Sequence, residues 1–445
     1  MTSEKQRIIL PWETREWATI KTKFTSECIN SIIDMDSRIA SMHGGRLKPR
    51  QINELFNLYY NSDRICVPKD EFIEKILPMM QKFIENAPKT FKGFDSSIIF
   101  RNIVLNRIQV ATLITCMWFG LFEYNYISKG VYSLEDFPEP TFIKIFTSQN
   151  LFAVSCLLNY FKRVYDYING DADTTNMFSA GNIIIQRNKL ICTKWPDDQR
   201  VITEIFIGEG HIDDSPAKMH VVYAHEFIGG GMFKEGLTPE EVLILIRPEC
   251  ITATLFCLKI AYTDTVTIMG AEKMSQYSGY GSSVSFAGNY IDGAPKGYST
   301  DETEVMLQHA AIFMDSTPKT SGIAQYVSEF DRDLNKAYCG FRSLNFRGQV
   351  QISTGNWTYG FSGSGMQVKF IQQVLAASAA NKCLVYHPFG RDFEDRLLPF
   401  INWLRCTNKT IAQIYNSYTQ LIKDSYSHPQ SKLADLDIFN SMMEQ

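Results

Sequence analysis

The sequence lacks the residue spacings that mark common metal and dinucleotide sites. None of its ten cysteines forms a CxxC pair, and the closest two, Cys250 and Cys257, lie seven residues apart in an apolar run. This absence excludes the usual zinc spacing, and the absence of GxGxxG excludes the dinucleotide-binding fingerprint. Isolated cysteines in apolar settings predict buried thiols in a reducing compartment.

The sequence also has little net charge and no long apolar run. It carries 44 basic and 48 acidic residues, a net charge of −4, which argues against a broad basic surface, so we expect no direct binding of nucleic acid. The longest charge-free apolar run in the first half, residues 110–122, has thirteen residues and is too short to span a bilayer. Because the N-terminal segment lacks the apolar core of a secretory signal, we expect an intracellular protein, nuclear or cytoplasmic, with no membrane partner.

The composition is that of a folded globular protein. A length of 445 residues predicts two domains, or one large domain with additions. Hydrophobic residues make up 45% and charged residues 21%, which excludes wholesale disorder. Aromatic residues make up 13%, a value that suits a well-buried core or a stacking site.

The pattern of apolar residues changes along the chain. Residues 1–175 show apolar positions every three or four residues and predict a helical accessory domain, in which Pro78 should kink or divide a helix. Residues 176–445 contain short β-rich runs, such as IIIQRNKLIC, MHVVYAHEF, DTVTIMGA, QVQISTGNW and CLVYHPFG. Helical runs alternate with them, at residues 240–260, at the alanine-rich residues 369–381 and at residues 410–422. This alternation predicts an α/β domain with a mixed sheet flanked by helices.

Three consecutive glycines, Gly229–Gly231, stand seven residues before a helix start that contains two glutamates. In TPEE, Thr238 has the position of an N-cap, with a proline at the first helical position and Glu241 at the third. Acidic residues there stabilise a helix dipole, and a glycine run is often only a flexible turn. Alternatively, the glycines form an anion-binding loop and Glu240 and Glu241 perform proton transfer and hydroxyl binding.

Four glycine- or asparagine-rich loops follow strands: GGG after YAHEFI, YSGYG after VTIMGAE, TGNW after QVQIS and HPFG after CLVY. Ligands of open α/β sheets bind where such loops converge. Tyr277 and Tyr280 in YSGYG could stack on a purine or face the core. Asn356 in TGNW could hold a hydroxyl or fix a turn, and Phe389 in HPFG could pack on a ligand ring or close the core. His225 is a lone histidine without metal-ligand spacing.

Together these motifs resemble the poly(ADP-ribose) glycohydrolase family. That family carries GGG, a short spacer and Gln-Glu-Glu at a helix start, and here the glycines precede PEE at 239–241. YSGYGSS is similar to a YTGYAE-like loop of the family, STGNW to ATGNW, and AASAANKCLVYHPFG to an alanine-rich helix before a VYFTFG-like strand end. LNKAYCGF at 334–341 matches the family's sequence letter for letter. Taken together, the matches keep their order over about 180 residues.

The resemblance implies a macrodomain-like core and hydrolysis of the ribose–ribose bonds of poly(ADP-ribose), without a metal or another cofactor. Glu241 would be the general acid and then the base, and Glu240 would orient the ribose. The glycines would cradle the diphosphate, Tyr280 would cover the adenosine end with support from Tyr277, and Asn356 and Phe389 would line the ribose pocket. The implied substrate-contacting residues are Gly229, Gly230, Gly231, His225, Tyr277, Tyr280, Asn356, Phe361 and Phe389.

Three positions depart from the family pattern. They leave two functions open, besides a third interpretation as a purely structural or interaction protein in which the loops are relics. Pro239 replaces the family's glutamine, while Val222 and His225 replace the acidic residue and the asparagine of DFAN. The retained glutamates predict an active glycohydrolase with reduced activity. The three replacements predict, alternatively, a protein that binds ADP-ribose or its polymer without turnover. In either case we expect a monomer whose partners are poly(ADP-ribose), ADP-ribose and ADP-ribosylated proteins.

Overall fold

A computed structural model describes residues 6–43, 46–97, 102–122, 126–128, 130, 132–138, 141–170, 181–189, 193–232, 237–279, 281–290, 309–315, 323–343, 350–357, 364–388, 390–427 and 436–445. Contacts divide the chain into two compact units. Unit 1 comprises Met1–Ile185, Phe227–Lys259 and Ile268–Val305, and unit 2 comprises Gln186–Glu226, Ile260–Thr267 and Met306–Gln445. The predicted domain boundary at 175 lies outside the described residues and stays a prediction.

Unit 1 is mainly helical, as the apolar spacing predicts. Its helices are α1 (Trp17–Thr25), α2 (Ile32–Ala40), α3 (Gln51–Tyr60), α4 (Lys69–Glu71), α5 (Leu77–Thr90), α6 (Arg107–Trp118), α7 (Ile143–Ser148), α8 (Leu151–Asn169), α9 (Pro239–Ile246) and α10 (Ala253–Phe256). Aromatic rings surround the fully buried Trp118, with ring centroids within 6.4 Å: Phe56, Phe72, Phe142, Phe146 and Phe161. These contacts give unit 1 an aromatic core.

Pro78 divides a helix, as predicted. A π-helical turn, Phe72–Ile76, separates α4 from α5, and Pro78 lies in the first turn of α5. A proline has no N–H and its ring clashes with the carbonyl four residues earlier. The wider π turn immediately before Pro78 accommodates that break.

Among the described residues, unit 2 contains five helices and most of an eight-stranded sheet. The helices are α11 (Ile323–Phe341), α12 (Ser364–Ala379), α13 (Arg391–Thr407), α14 (Ile411–Ser427) and α15 (Ile438–Met443). The strands of the chain are β1 (Asn102–Asn106), β2 (Asn182–Lys189), β3 (Ile205–Ile207), β4 (Met219–Tyr223), β5 (Asp264–Met269), β6 (Ser275–Ser278), β7 (Ser285–Asn289), β8 (Ala310–Met314), β9 (Gln351–Gly355) and β10 (Cys383–His387). The helices predicted at the alanine-rich residues 369–381 and at residues 410–422 are confirmed as α12 and α14.

The sheet has the strand order β1-β2-β5-β8-β4-β9-β10-β3. β4 pairs in parallel with β8 and β9, and β10 pairs in parallel with β9 and β3. Every residue of β5 and β8 is buried, as expected for strands whose two faces are both covered. The remaining strands, β6 and β7, form an antiparallel hairpin in unit 1.

Two expectations about local structure need correction. The apolar run at residues 240–260 is not one helix, because Pro248 ends α9 and starts a 3-10 turn, Pro248–Thr252, before α10. YSGYG does not directly follow the strand VTIMGA, because β6 intervenes and gives the loop its own hairpin.

The cysteines fit the prediction of buried thiols in most places. Nine free cysteines are described, of which Cys28 and Cys406 are exposed and Cys66 is half-buried. The other six are buried: Cys116, Cys156, Cys250, Cys257, Cys339 and Cys383. Within the described ranges, no helix has both the length and the apolar character needed to cross a membrane.

Candidate active site

The helix start TPEE has the predicted geometry. α9 begins at Pro239, with Thr238 in extended backbone conformation before it. Oε2 of Glu241 accepts a hydrogen bond from the backbone N–H of Thr238 at 2.6 Å, which is the reciprocal contact of a capping box. The proline costs nothing here, since the first N–H of a helix has no partner within the helix. The predicted helix start and its Glu241 contact are therefore confirmed, whereas the Thr238 side chain makes no capping hydrogen bond.

The glycine run forms a tight turn that requires glycine. Gly229 and Gly230 have φ values of 92° and 43°, in the left-handed region that side chains rarely adopt. The N–H of Gly230 donates to the carbonyl of Phe227 at 3.0 Å, and the N–H of Met232 donates to the carbonyl of Gly229 at 2.9 Å. A Cβ at Gly229 would also lie 3.1 Å from Cε of Met232.

The glycine turn holds both glutamates. The N–H of Gly229 donates to Oε1 of Glu240 at 2.8 Å, and the N–H of Gly231 donates to Oε1 of Glu241 at 2.5 Å. Glu240 is 2% exposed and Glu241 6% exposed, so each carboxylate is buried with a backbone donor directed at it. Hydrogen bonds of this charge-assisted kind are short and strong. The sequence brings the two motifs close along the chain, but it gives no sign of these contacts.

The tyrosine loop is tied to the same helix start. Gly281, in the loop between β6 and β7, forms an isolated antiparallel bridge with Leu237, immediately before Thr238. The loop itself turns at Gly279, which has a φ of 82° and whose Cβ would lie 2.2 Å from the carbonyl oxygen of Ser283. Tyr277 is half-buried at the end of β6, and Tyr280 lies outside the described residues.

A buried ion-pair cluster lies at the other end of α9. Arg107 pairs with Glu249 and lies 3.4 Å from Glu272, and its Nη2 donates to the carbonyl of Gly270 at 2.9 Å. The backbone N–H of Glu272 donates to Oε2 of Glu249 at 2.9 Å. Burial raises the pKa of Glu249, and the Arg107 guanidinium opposes that rise. The cluster joins α6, the turn after α9 and the segment that leads to β6.

Unit 2 places the other predicted residues at the carboxyl ends of parallel strands. β4 ends at Tyr223, β9 at Gly355 and β10 at His387, and both β4 and β10 pair with β9. Asn356 follows β9 directly, is half-buried and accepts a hydrogen bond on Oδ1 from the hydroxyl of Tyr386 at 2.8 Å. His225 is exposed beyond the end of β4. The carboxyl ends of these three strands therefore lie at one edge of the sheet, and the convergence of their loops stays a prediction.

Some predicted residues cannot be placed, and others were missed. Phe361 and Phe389 lie outside the described residues. Val222 is 3% exposed within β4, so a carboxylate in its place would be buried. Tyr223 and Tyr386 were not among the predicted site residues, although both stand where an apolar strand meets a polar loop. The described part of the chain contains no group of three or more histidine, cysteine or acidic side chains that could hold a metal ion.

The fold and the buried carboxylates define a macrodomain-type α/β protein with a helical N-terminal region. Two sequence models of one family match it: poly(ADP-ribose) glycohydrolase, helical domain, at residues 67–187, and poly(ADP-ribose) glycohydrolase, Macro domain fold, at residues 192–395. The chain belongs to the poly(ADP-ribose) glycohydrolase family. The predicted fold class, a mixed sheet with flanking helices and a helical N-terminal domain, is confirmed.

Individual relatives are distant. The chain is 29% identical over 209 residues to poly(ADP-ribose) glycohydrolase 1 of Caenorhabditis elegans, which covers 44% of this chain and 26% of the relative. It is 26% identical over 301 residues to poly(ADP-ribose) glycohydrolase 1 of Arabidopsis thaliana, covering 61% and 50%. It is 21% identical over 416 residues to the probable poly(ADP-ribose) glycohydrolase 2 of the same plant, covering 78% and 76%. The chain thus spans half or less of the first two relatives.

Proposed function

We propose that this protein hydrolyses the ribose–ribose O-glycosidic bonds of poly(ADP-ribose) and releases ADP-ribose. The observation that supports this function is the pair of buried glutamates, each held by a glycine amide of one turn. Glycoside hydrolysis needs a carboxyl group fixed within reach of the glycosidic oxygen. A buried carboxylate anchored by the backbone on two sides meets that need, because the side chain cannot rotate away.

Glu241 is the general acid and base in this proposal. Its two oxygens accept from the N–H groups of Gly231 and Thr238, and a carboxylate has about four lone-pair positions. Two of these lone-pair positions therefore accept the backbone hydrogen bonds, and the others can face substrate. Protonated Glu241 gives its proton to the leaving ribose oxygen as the glycosidic bond breaks. A water molecule then adds to the anomeric carbon and returns a proton to Glu241, which regenerates the acid.

Glu240 has the second role, hydrogen bonding to ribose hydroxyls. It is the more deeply buried of the two carboxylates and is held by a different amide of the turn, that of Gly229. Neighbouring residues on a helix point about 100° apart, so the two glutamates do not form an opposed acid and nucleophile. Tyr277 and Tyr280 on the tied hairpin loop are proposed to cover the adenosine end of the ligand, with Gly229–Gly231 beside its diphosphate.

Release of ADP-ribose from automodified polymer is the decisive assay. The wild-type protein should release ADP-ribose, and Glu241→Gln should abolish release, because glutamine preserves the side chain's shape but cannot transfer the proton. The matched control is Glu204→Gln at an exposed glutamate, which should retain wild-type activity. Full activity in Glu241→Gln would overturn the assigned role, and wild-type protein without release would overturn the proposed reaction.

The second candidate function is binding of ADP-ribose without hydrolysis. The residues near the Glu240–Glu241 motif support it. Val222 is buried where the family carries an acidic residue, while His225 and Pro239 are exposed. If this is the function, calorimetry should detect binding of ADP-ribose, and no hydrolysis should occur. The double change His225→Asn and Pro239→Gln restores the family's residues at two exposed positions, where the new side chains bury no polar group. If these replacements cause the loss of turnover, the double variant should recover hydrolysis. An acidic residue at 222 is a poor test, because it would bury a charge in β4.

The wider expectations are proposals that follow from this function. We propose a monomer with domains at 1–175 and 176–445. It acts on ADP-ribosylated proteins in the nucleus or the cytoplasm, and nucleic acid, membranes and cofactors are not among its partners. Sedimentation with and without polymer tests the first of these. A mass matching two chains would contradict it.

A further inference from the structure

The turn that follows β9 is held by a closed set of hydrogen bonds. The hydroxyl oxygen of Tyr223 accepts from the backbone N–H of Gly355 at 2.6 Å and lies 2.9 Å from Oγ1 of Thr354. The Thr354 hydroxyl donates to Oε1 of Gln373, whose Nε2 donates to the carbonyl of Gly355 at 3.2 Å. Both backbone polar groups of Gly355 therefore belong to the same ring of contacts.

The direction of every proton in this ring is fixed. Oε1 of Gln373 is only an acceptor, so the single hydroxyl proton of Thr354 points toward it. Tyr223 must then donate its own proton to Thr354, which leaves its oxygen to accept from Gly355. A ring with one allowed arrangement holds the backbone before Asn356 in one orientation. Gly355 adds a steric constraint, since a Cβ there would lie 2.7 Å from the carbonyl oxygen of His387.

A second tyrosine fixes the side chain that follows. The hydroxyl of Tyr386 donates to Oδ1 of Asn356 at 2.8 Å. Tyr386 is fully buried, and this burial raises the pKa of its hydroxyl well above the usual value, so it stays a donor. The amide oxygen of Asn356 is thus occupied. Nδ2 has no hydrogen-bond partner among the residues that the structure describes, and the side chain is half-buried rather than enclosed.

We propose that Tyr386 and Tyr223 are positioning residues that lock the Asn356 amide with its NH2 group available to ligand, so that this part of the site recognises an acceptor oxygen. The proposal rests on the proposed function and deepens it. A ribose hydroxyl can donate or accept, but opposite a locked NH2 group it must accept. The two tyrosines act through Asn356 and Gly355 and do not themselves touch ligand in this proposal.

Binding of ADP-ribose by calorimetry tests the proposal with three variants. Asn356→Ala should weaken binding about tenfold, and Tyr386→Phe about threefold to tenfold, as expected for one hydrogen bond. The double variant should bind no more weakly than Asn356→Ala alone, because the tyrosine acts only through that amide. Additive losses would overturn the proposal.

Tyr415→Phe is the matched control. Tyr415 is also a buried tyrosine of unit 2 whose hydroxyl donates to a single side chain, Asp331, at 2.8 Å. It should leave binding unchanged while losing a similar hydrogen bond. During polymer hydrolysis, Tyr386→Phe should raise KM and leave kcat within about twofold, a split that general destabilisation would not produce.

The outcomes separate this proposal from the function on which it rests. Wild-type protein that neither binds nor hydrolyses overturns both. Wild-type protein that binds ADP-ribose, together with Tyr386→Phe that binds equally well, overturns the positioning role alone. If Tyr386→Phe fails to fold by thermal melting, Tyr223→Phe replaces it, because the phenyl ring can keep its stacking on Trp357 while opening the ring of hydrogen bonds. Unchanged binding in that variant would also overturn the role.

Discussion

The backbone N–H of Gly231 points at the carboxylate of Glu241 from 2.5 Å, ten residues away along the chain. Gly229 has the same relationship with Glu240. The turn that needs glycine for its backbone conformation therefore also holds two buried carboxylates by hydrogen bonds. Changes to the turn and changes to the glutamates should therefore have related effects on activity.

The two glutamates should separate in kinetics. Glu241→Gln should lower kcat by about 100-fold or more, as expected when a general acid is lost. Glu240→Gln should act mainly through KM, because a hydrogen bond to a ribose hydroxyl contributes to binding before the transition state. Steady-state assays on polymer measure both constants. Equal losses of kcat in the two variants would contradict this division of roles.

Gly229→Ala should reduce both stability and activity. A side chain at a φ of 92° costs about 1–2 kcal/mol, and the new Cβ crowds Met232, so the donor to Glu240 should move. Gly93 offers a matched control, since it has a φ of 79° and nothing within 4 Å of its Cβ position. Gly93→Ala should lower the unfolding midpoint similarly but leave hydrolysis unchanged. Loss of activity in both variants would point to general destabilisation.

Arg107→Met should be strongly destabilising. It leaves the buried carboxylates of Glu249 and Glu272 without their shared guanidinium, and breaking a buried ion pair costs about 3–5 kcal/mol. The comparison is Arg7→Met, which removes the exposed pair of Arg7 and Glu13 and should cost about 0–1 kcal/mol. Urea unfolding of both variants measures the difference. Similar small losses would show that the buried cluster contributes little.

His387 should make the fold sensitive to acid. Burial lowers the pKa of His387, and its Nε2 has no hydrogen-bond partner among the described residues. Below the unfolded pKa of about 6.5 the unfolded chain therefore binds more protons than the native one, so the free energy of unfolding decreases as pH falls through that value. Urea midpoints at neutral and mildly acidic pH should fall less in His387→Gln than in the wild type. The exposed His211 supplies the control variant His211→Gln, and an equal fall in all three proteins would contradict the assignment.

Local patterns were enough to predict the elements that carry the site. The capped start of α9 follows from Thr238, Pro239 and Glu241 alone, because capping depends on neighbours within one turn. The division at Pro78 likewise follows from the missing N–H. The sheet class follows from alternating runs, although β1, β8 and the hairpin β6–β7 were not recognised as strands.

Contacts between distant residues could not be predicted from one sequence. The ring of Tyr223, Thr354 and Gln373 joins three elements, and no spacing in the chain signals it. The same is true of the glycine amides that anchor the glutamates, since a GGG run is compatible with many backbone conformations. Pro248 did carry a usable signal, because a proline inside an apolar run marks a probable break.

The donors that hold Glu240 and Glu241 belong to the main chain. A substitution at 231 or 238 changes a side chain but keeps the N–H, except when proline is introduced, whereas Gly229 is also needed for its backbone conformation. Positions 231 and 238 are therefore tolerant of side-chain change, and the whole turn is intolerant of altered backbone geometry. A lineage of this protein could exchange many surrounding side chains and still keep its carboxylates in place, provided that the path of the chain through the turn stays the same.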